Sequence, residues 1–112
     1  MNKIQVFDLN LGGILQNASA TSGIIDLSTC DNCHKFSVQY IMTATGAPEV
    51  TLEYLASNDG INYVAGGIAT GQLKGTSLPD EFTPPICRFL KLKATEENVA
   101  AVTLLRLLVA IQ

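Results

Sequence analysis

The run Cys30-Asp31-Asn32-Cys33-His34 has residue types and a spacing that match known chemistry. Two cysteines separated by two residues and followed by histidine form the attachment pattern of c-type haem: the thiols become thioethers to the porphyrin, and the imidazole binds iron. The same three residues joined by Cys87 would offer zinc a Cys₃His set. The third reading is metal-free, with reduced thiols near a loop or a Cys30–Cys33 disulfide. Haem needs a second axial ligand, and with His34 the only histidine this falls to Met42 or Met1. Haem is also attached outside the cytoplasm, whereas the N-terminal MNKIQVFDLNLGGIL lacks the apolar run of an export signal. Zinc meets a different obstacle: adjacent Cys33 and His34 diverge in extended backbone. The expectation is therefore no cofactor, and Cys87 reads as a small buried hydrophobe without a second histidine to activate it. With three cysteines, a complete internal disulfide framework is excluded.

The other polar candidates are weaker. Asp59-Gly60 has too few oxygen ligands nearby for calcium and reads as a turn. Asp80-Glu81 and Glu96-Glu97 are adjacent pairs that point apart in strands or turns, so they read as solvated loop charges rather than a general acid and base. The glycines from Gly66 to Gly75 lack phosphate-loop spacing and mark a loose segment, with room for one short strand around Ile68 or Leu73. Tyr40, Tyr54 and Tyr63 read as core or rim, with Tyr63, beside the turn, the best placed to stack a sugar. No nucleophile–base pair or paired carboxylates can be assembled, so an enzyme is not expected.

These residues must be positioned by strands. In Phe36–Ala44, Phe36, Val38, Tyr40, Met42 and Ala44 share one face; in Val50–Ser57, Val50, Leu52, Tyr54 and Ala56 do the same. Alternation of this length predicts half-buried antiparallel strands, here a central hairpin linked by Gly46-Ala47-Pro48. Asn58-Asp59-Gly60 supplies a second turn, into a partner strand at Ile61–Ala65. Strands are also expected at Lys3–Leu9, ended by Gly12-Gly13, with Ile14-Leu15 opening a short second one, and at Ile24–Ser28. Another is expected at Ile86–Thr95, with Leu90, Leu92 and Ala94 inward and Lys91 and Lys93 outward. Gln16–Gly23 reads as a loop. Leu78–Pro85, with three prolines, can be neither helix nor central strand.

Val99–Ile111 is the ambiguous element. Glu96 and Glu97 before it would suit a helix N-terminus, but about eight short, regularly spaced strands favour a β-strand in an all-β antiparallel sandwich. As a strand it is apolar on both faces, Val102, Leu104 and Leu108 lying on the second. A sandwich covers one face, so the second calls for a partner.

Composition agrees. The chain has 112 residues, enough for a single domain, and is 47% hydrophobic but only 15% charged, against about 25% for an average soluble domain. A net charge of −3 gives no case for nucleic acid or an anionic membrane. No stretch reaches the length of a membrane span.

Several pieces together resemble a group of small phage structural proteins: Ile25-Asp26-Leu27-Ser28, the long Phe36–Ala56 segment, Ser57-Asn58-Asp59-Gly60-Ile61-Asn62-Tyr63, and Arg88-Phe89-Leu90-Lys91-Leu92. Tyr63 stands where many such sequences have Trp. Similar turn and late-strand patterns occur in discoidin-like and other galactose-binding-like sandwiches, which bind sugars or lipids through loops. The resemblance implies a jelly-roll-like sandwich in a virion, made in the host cytoplasm and serving as a capsid decoration or tail component. It carries no catalytic motif. The resulting expectation is one domain, residues 1–112, with residues 1–20 as an N-terminal arm or edge strand. Its partners would be further copies of itself and other virion proteins. The contact residues would be Ile4, Val6, Phe7, Val102, Leu104 and Leu108. The alternative is a carbohydrate-binding module for surface glycans, with its site at Asn58–Tyr63 and Gly66–Gly75.

Overall fold

The computed structural model describes residues 4–30, 33, 35–44, 46, 48–71, 75–76, 80–97 and 101–112. They form ten strands: β1 (Gln5–Ile14), β2 (Ser19–Thr21), β3 (Ile25–Asp26), β4 (Phe36–Thr43), β5 (Val50–Ser57), β6 (Val64–Gly71), β7 (Gly75–Thr76), β8 (Asp80–Phe82), β9 (Phe89–Glu96) and β10 (Val102–Ile111). One sheet runs β1-β10-β4-β7, with β8 also on β4; the other runs β2-β9-β5-β6, with β3 also on β9. Every pairing is antiparallel. Two layers packed through their apolar faces make a β-sandwich, the fold class that the alternation predicts.

The core lies between the sheets. From the first sheet come Phe36, Val38 and Met42 of β4, Leu105, Leu107, Val109 and Ile111 of β10, and Phe82 of β8. From the second come Ile25, Val50, Leu52, Leu90, Leu92 and Ala94. β9 alternates as expected, with Leu90, Leu92 and Ala94 buried and Lys91 and Lys93 half-buried on the outer side. The segment after residue 101 is a strand and not a helix. As a central strand, bonded to β1 and β4, it finds partners for its backbone on both sides.

The neighbours of the two long central strands differ from expectation. β4 and β5 are not a hairpin: they lie in different sheets, and the link through buried Pro48 crosses between layers. Alternation tells which side of a strand is apolar but not which strand lies beside it. The true hairpin is β5–β6, paired from Val50↔Gly71 to Ala56↔Val64 with one shift of register between Leu52 and Glu53. It begins at Val64 rather than at Ile61, which is exposed.

The glycines mark packing rather than looseness. Gly66 lies opposite Tyr54 in the β5–β6 ladder, and a Cβ there would overlap the Tyr54 ring. At Gly12 β1 is not broken; it bulges, with shifts of register between Asn10, Gly12 and Ile14. Gly12 takes φ +68° and donates its N–H to Asn10 Oδ1 at 2.9 Å, a conformation open to glycine at no steric cost. The segment 16–23 contains β2, whose Ser19–Thr21 pair with Thr95–Lys93 and turn only the small Ala20 onto the core. Such pairing leaves no apolar pattern to read.

Glu96 is the largest departure. Expected as a solvated charge, it is 1% exposed. Its Oε1 accepts the Asn17 N–H at 3.1 Å and its Oε2 the Glu49 N–H at 3.2 Å. Its own N–H donates to Ala18 O at 2.8 Å, and the next residue, Glu97, donates to Glu49 O at 2.8 Å. One side chain thus fastens both the β1–β2 turn, where Asn17 takes φ 53°, and the β4–β5 crossover to the end of β9. Glu96→Ala strands two backbone donors and is expected to destabilise the fold by about 2–4 kcal/mol in denaturant titration. Glu97→Ala, at an exposed position, is expected to change it by less than about 0.5 kcal/mol.

Candidate functional site

The cysteine cluster forms first through the chain entering β4. Cys30 and Cys33 are joined in a disulfide, with Cα atoms 5.8 Å apart. Together with Cys87, Leu27, Phe36 and Pro85 they line a cavity of about 370 Å³. In this form neither sulfur is a thiolate for zinc or a free thiol for a haem thioether. Cys87 is a free, half-buried thiol, and burial pushes its pKa above the ordinary thiol value. Although the three cysteines share a cavity, among the described residues no group of three or more His, Cys, Asp or Glu side chains is placed to hold a metal ion. Of the zinc alternative, Cys87 does share the cavity with Cys30 and Cys33, but the disulfide occupies two of the sulfurs. His34 lies outside the described residues.

The 58–63 turn forms the second cluster. Asp59 Oδ1 accepts from Ser57 Oγ, Ile61 N and Asn62 N, each at 2.8 Å, and Oδ2 accepts from Asn62 Nδ2 at 2.7 Å. Gly60, at φ +76°, packs under the Phe89 ring. Asn58 Oδ1 accepts the Arg88 N–H at 3.0 Å and so ties the turn to the start of β9. The Asp59 carboxylate is thus a brace for the turn. Tyr63 does not offer a free sugar platform: Lys91 Nζ lies 4.4 Å from its ring centroid. Its hydroxyl is buried and finds no hydrogen-bond partner among the described residues. Tyr40 and Tyr54 are half-buried against the core, and Gly66 and Gly67 belong to β6 rather than to a binding loop.

The third arrangement is the outer face of the first sheet. Register places Val6 beside Ala110, Asp8 beside Leu108 and Asn10 beside Arg106. Across β10, Ala110, Leu108, Arg106 and Leu104 stand beside Ser37, Gln39, Ile41 and Thr43 of β4. Ile4 and Val6 are 63% and 64% exposed, and Leu104, Leu108 and Ile41 are half-buried. One ion pair crosses this face, with Arg106 Nη2 donating to Asp8 Oδ2 at 2.6 Å. That bond raises the Arg106 pKa above the usual arginine value.

Four expected contact residues, Ile4, Val6, Leu104 and Leu108, are therefore accessible to a partner to differing degrees. Two are not. Phe7 turns inward onto the core, and Val102 is 2% exposed. The reason for Val102 is the bulge: Gly12 pairs with Leu105 and Ile14 with Val102, so β10 advances three residues while β1 advances two. An extra residue reverses the parity of facing, and Val102 joins the odd-numbered core positions. Sequence reasoning missed this and the burial of Glu96; the only signal for the first is the Gly12-Gly13 pair.

No protein-family model matches the sequence, and no relative is found among curated proteins. Solved structures show the fold. A Yersinia pseudotuberculosis-derived mitogen is similar over 100% of this chain and 86% of its own, with a TM-score of 0.51 and 13% identity. The CBM22-1 xylan-binding domain of Paenibacillus barcinonensis Xyn10C is similar over 97% of this chain and 80% of its own, with a TM-score of 0.54 and 15% identity. A chain in the structure of infectious bursal disease virus, Gt strain, is similar over 97% of this chain, with a TM-score of 0.55 and 10% identity; this chain spans 32% of it. These neighbours are β-sandwiches of the jelly-roll kind.

Two predictions follow from the clusters. Asp59 is held below the ordinary carboxylate range, first by the Asn62 and Ile61 N–H groups and then by the Asn62 and Ser57 side chains. Its contribution is complete above the unfolded-state value of 3.8 and is lost as pH falls below it. Asp59→Asn is therefore expected to be less stable than the parent at neutral pH, with the gap narrowing in acid; denaturant titrations at both pH values check this. The raised Cys87 pKa predicts alkylation by iodoacetamide at neutral pH more slowly in the folded protein than in the urea-unfolded chain, as read by mass spectrometry.

Proposed function

We propose that this chain is a non-enzymatic structural protein of a virion, a capsid decoration or tail component, that works by self-assembly and contact with other virion proteins. The observation that carries the reading is the outer face of the first sheet. Val6, Leu104, Leu108, Ala110 and Ile41 place apolar side chains there among Asn10, Ser37, Gln39 and Thr43, with one internally neutralised pair. Docking it on another subunit removes apolar area from water at about 25 cal/mol per Å². The Asp8–Arg106 pair supplies a polar mark that fixes orientation. Likeness to a chain of a virus structure supports the virion setting at the level of fold. The rival reading, a glycan-binding loop end, draws on the likeness to a xylan-binding domain, but Lys91 already covers the Tyr63 ring.

Light scattering of the purified protein at high concentration is expected to give a mass above the 11.9 kDa of one chain. Leu108→Arg, beside Asp8 in the ladder, is expected to lower that mass while leaving the melting temperature within a few degrees. A parent protein that is monomeric at every concentration, or absent by mass spectrometry from purified particles of a host strain carrying its gene, would overturn the proposal.

A further inference from the structure

The two edges of the first sheet are unequal. The β7/β8 edge consists of strands two and three residues long. Charged Asp80 and Glu81 lie in β8, and prolines stand at 79, 84 and 85 around it. Short strands, charge and proline are the devices that stop a sheet edge from pairing with another chain. The β1 edge is neither short nor proline-bearing, and its one charge, Asp8, is paired within the subunit. β1 is ten residues long and contains no proline, lysine or arginine. Between Gln5 and Asn10 its ladder with β10 is regular, with the bulge only beyond. β1 pairs with β10 alone, and among the described residues Gln5–Asn10 make no backbone–backbone hydrogen bond outside that ladder.

The geometry points to a second copy of this chain as the occupant of that edge, with β1 pairing antiparallel to β1 of its partner about a two-fold axis. Charge favours a copy. The single charge within Gln5–Ile14 is Asp8, and Arg106 of the same subunit neutralises it. Two such edges bring no uncompensated charge to the contact. Symmetry favours it as well: an isologous contact uses one edge per subunit and closes, and the guarded β7/β8 edge then keeps the same sheet from extending further. The other long edge, β6, is a poorer template, because its regular pairing is split between Leu52 and Glu53 and it contains Gly66, Gly67 and Gly71. Six regular β1 residues span about 20 Å at about 3.3 Å each. Pairing makes the two first sheets continuous, with both outer faces on one side. The inference goes beyond the docking of that face, because edge pairing does not use it.

The test separates the two contacts by working in the Leu108→Arg chain, where face docking is removed. Light scattering is expected to give twice 11.9 kDa. Successive N–H groups of a strand point to opposite edges, so Gln5→Pro and Val6→Pro differ. The variant whose N–H faces outward is expected to give a monomer with an unchanged melting temperature; the other is expected to melt lower. Amide exchange at alternate residues from Gln5 to Asn10 is expected to slow as concentration rises. A Leu108→Arg chain that is already monomeric while the parent associates overturns edge pairing and leaves face docking standing. A dimer whose β1 amides exchange equally at low and high concentration also overturns edge pairing. A parent no larger than a dimer, with concentration-dependent β1 protection, supports edge pairing and removes face docking.

Discussion

A two-layer sandwich shields one face of each strand from water, and β10 has apolar residues on two. It sits in the middle of its sheet, where hydrogen bonds to β1 and β4 hold it on both sides. Leu105, Leu107, Val109 and Ile111 supply the centre of the core, each fully buried, and at about 1.5–3 kcal/mol apiece they fix which side faces in. The opposite side is left with Leu104 and Leu108, which neighbouring strands shade only by half. The fold therefore cannot be satisfied at both faces of β10 at once. The inner face is settled within the subunit, and the outer face becomes the surface available for contact.

That surface is held in place from elsewhere. The extra β10 residue between Val102 and Leu105, set against Ile14 and Gly12, turns Val102 inward, and the outward-facing row starts at Leu104. Without the extra residue, Val102 would extend that row and the core would lose a buried valine. Glu96 acts at a distance in the same sense. By accepting the Glu49 N–H it ties the crossover that carries the chain from β4 to β5 to the end of β9, and by accepting the Asn17 N–H it ties the β1–β2 turn to the same point. A buried carboxylate is costly unless hydrogen-bonded, and these two donors, each a peptide group in a loop, meet that need while losing their own exposure to water.

Much of the layer structure was legible in the sequence because it depends on period two. Phe36–Met42, Val50–Ala56 and Leu90–Ala94 alternate, and each turns the residues its pattern nominates toward the core, with Tyr40 and Tyr54 half-buried at its margin. Partnership was not legible. Nothing in Thr43–Val50 tells whether the chain turns back beside β4 or crosses to the other layer, since both routes bury the same side chains. β2 was invisible for a related reason: Ser19-Ala20-Thr21 pairs with β9 and turns only the small Ala20 onto the core. The glycines of β6 were misread because glycine signals both freedom and close approach, and only the Tyr54 ring above Gly66 distinguishes them. Glu96 was misread because a carboxylate beside Glu97 and Asn98 has the composition of a turn; its burial depends on two loops distant in sequence.

The haem-like pentapeptide shows how little a motif means without its surroundings. Cys30 and Cys33 close on each other rather than on a ligand, and Cys87, brought to the same cavity by the end of the proline-rich segment, is pushed toward its neutral thiol form by burial. The charged groups at the loop end are likewise engaged: Asp59 braces its turn, Lys91 covers Tyr63, and Arg88 stacks on Phe89 at 4.9 Å. What this architecture leaves over is apolar and backbone in character, as in Val6 and Leu108 on a face and the outward peptide groups of β1. Asp59, Lys91 and Arg88 are committed to their own turn and its neighbours, and with only 15% of the chain charged the side chains left on this face are mainly apolar or uncharged.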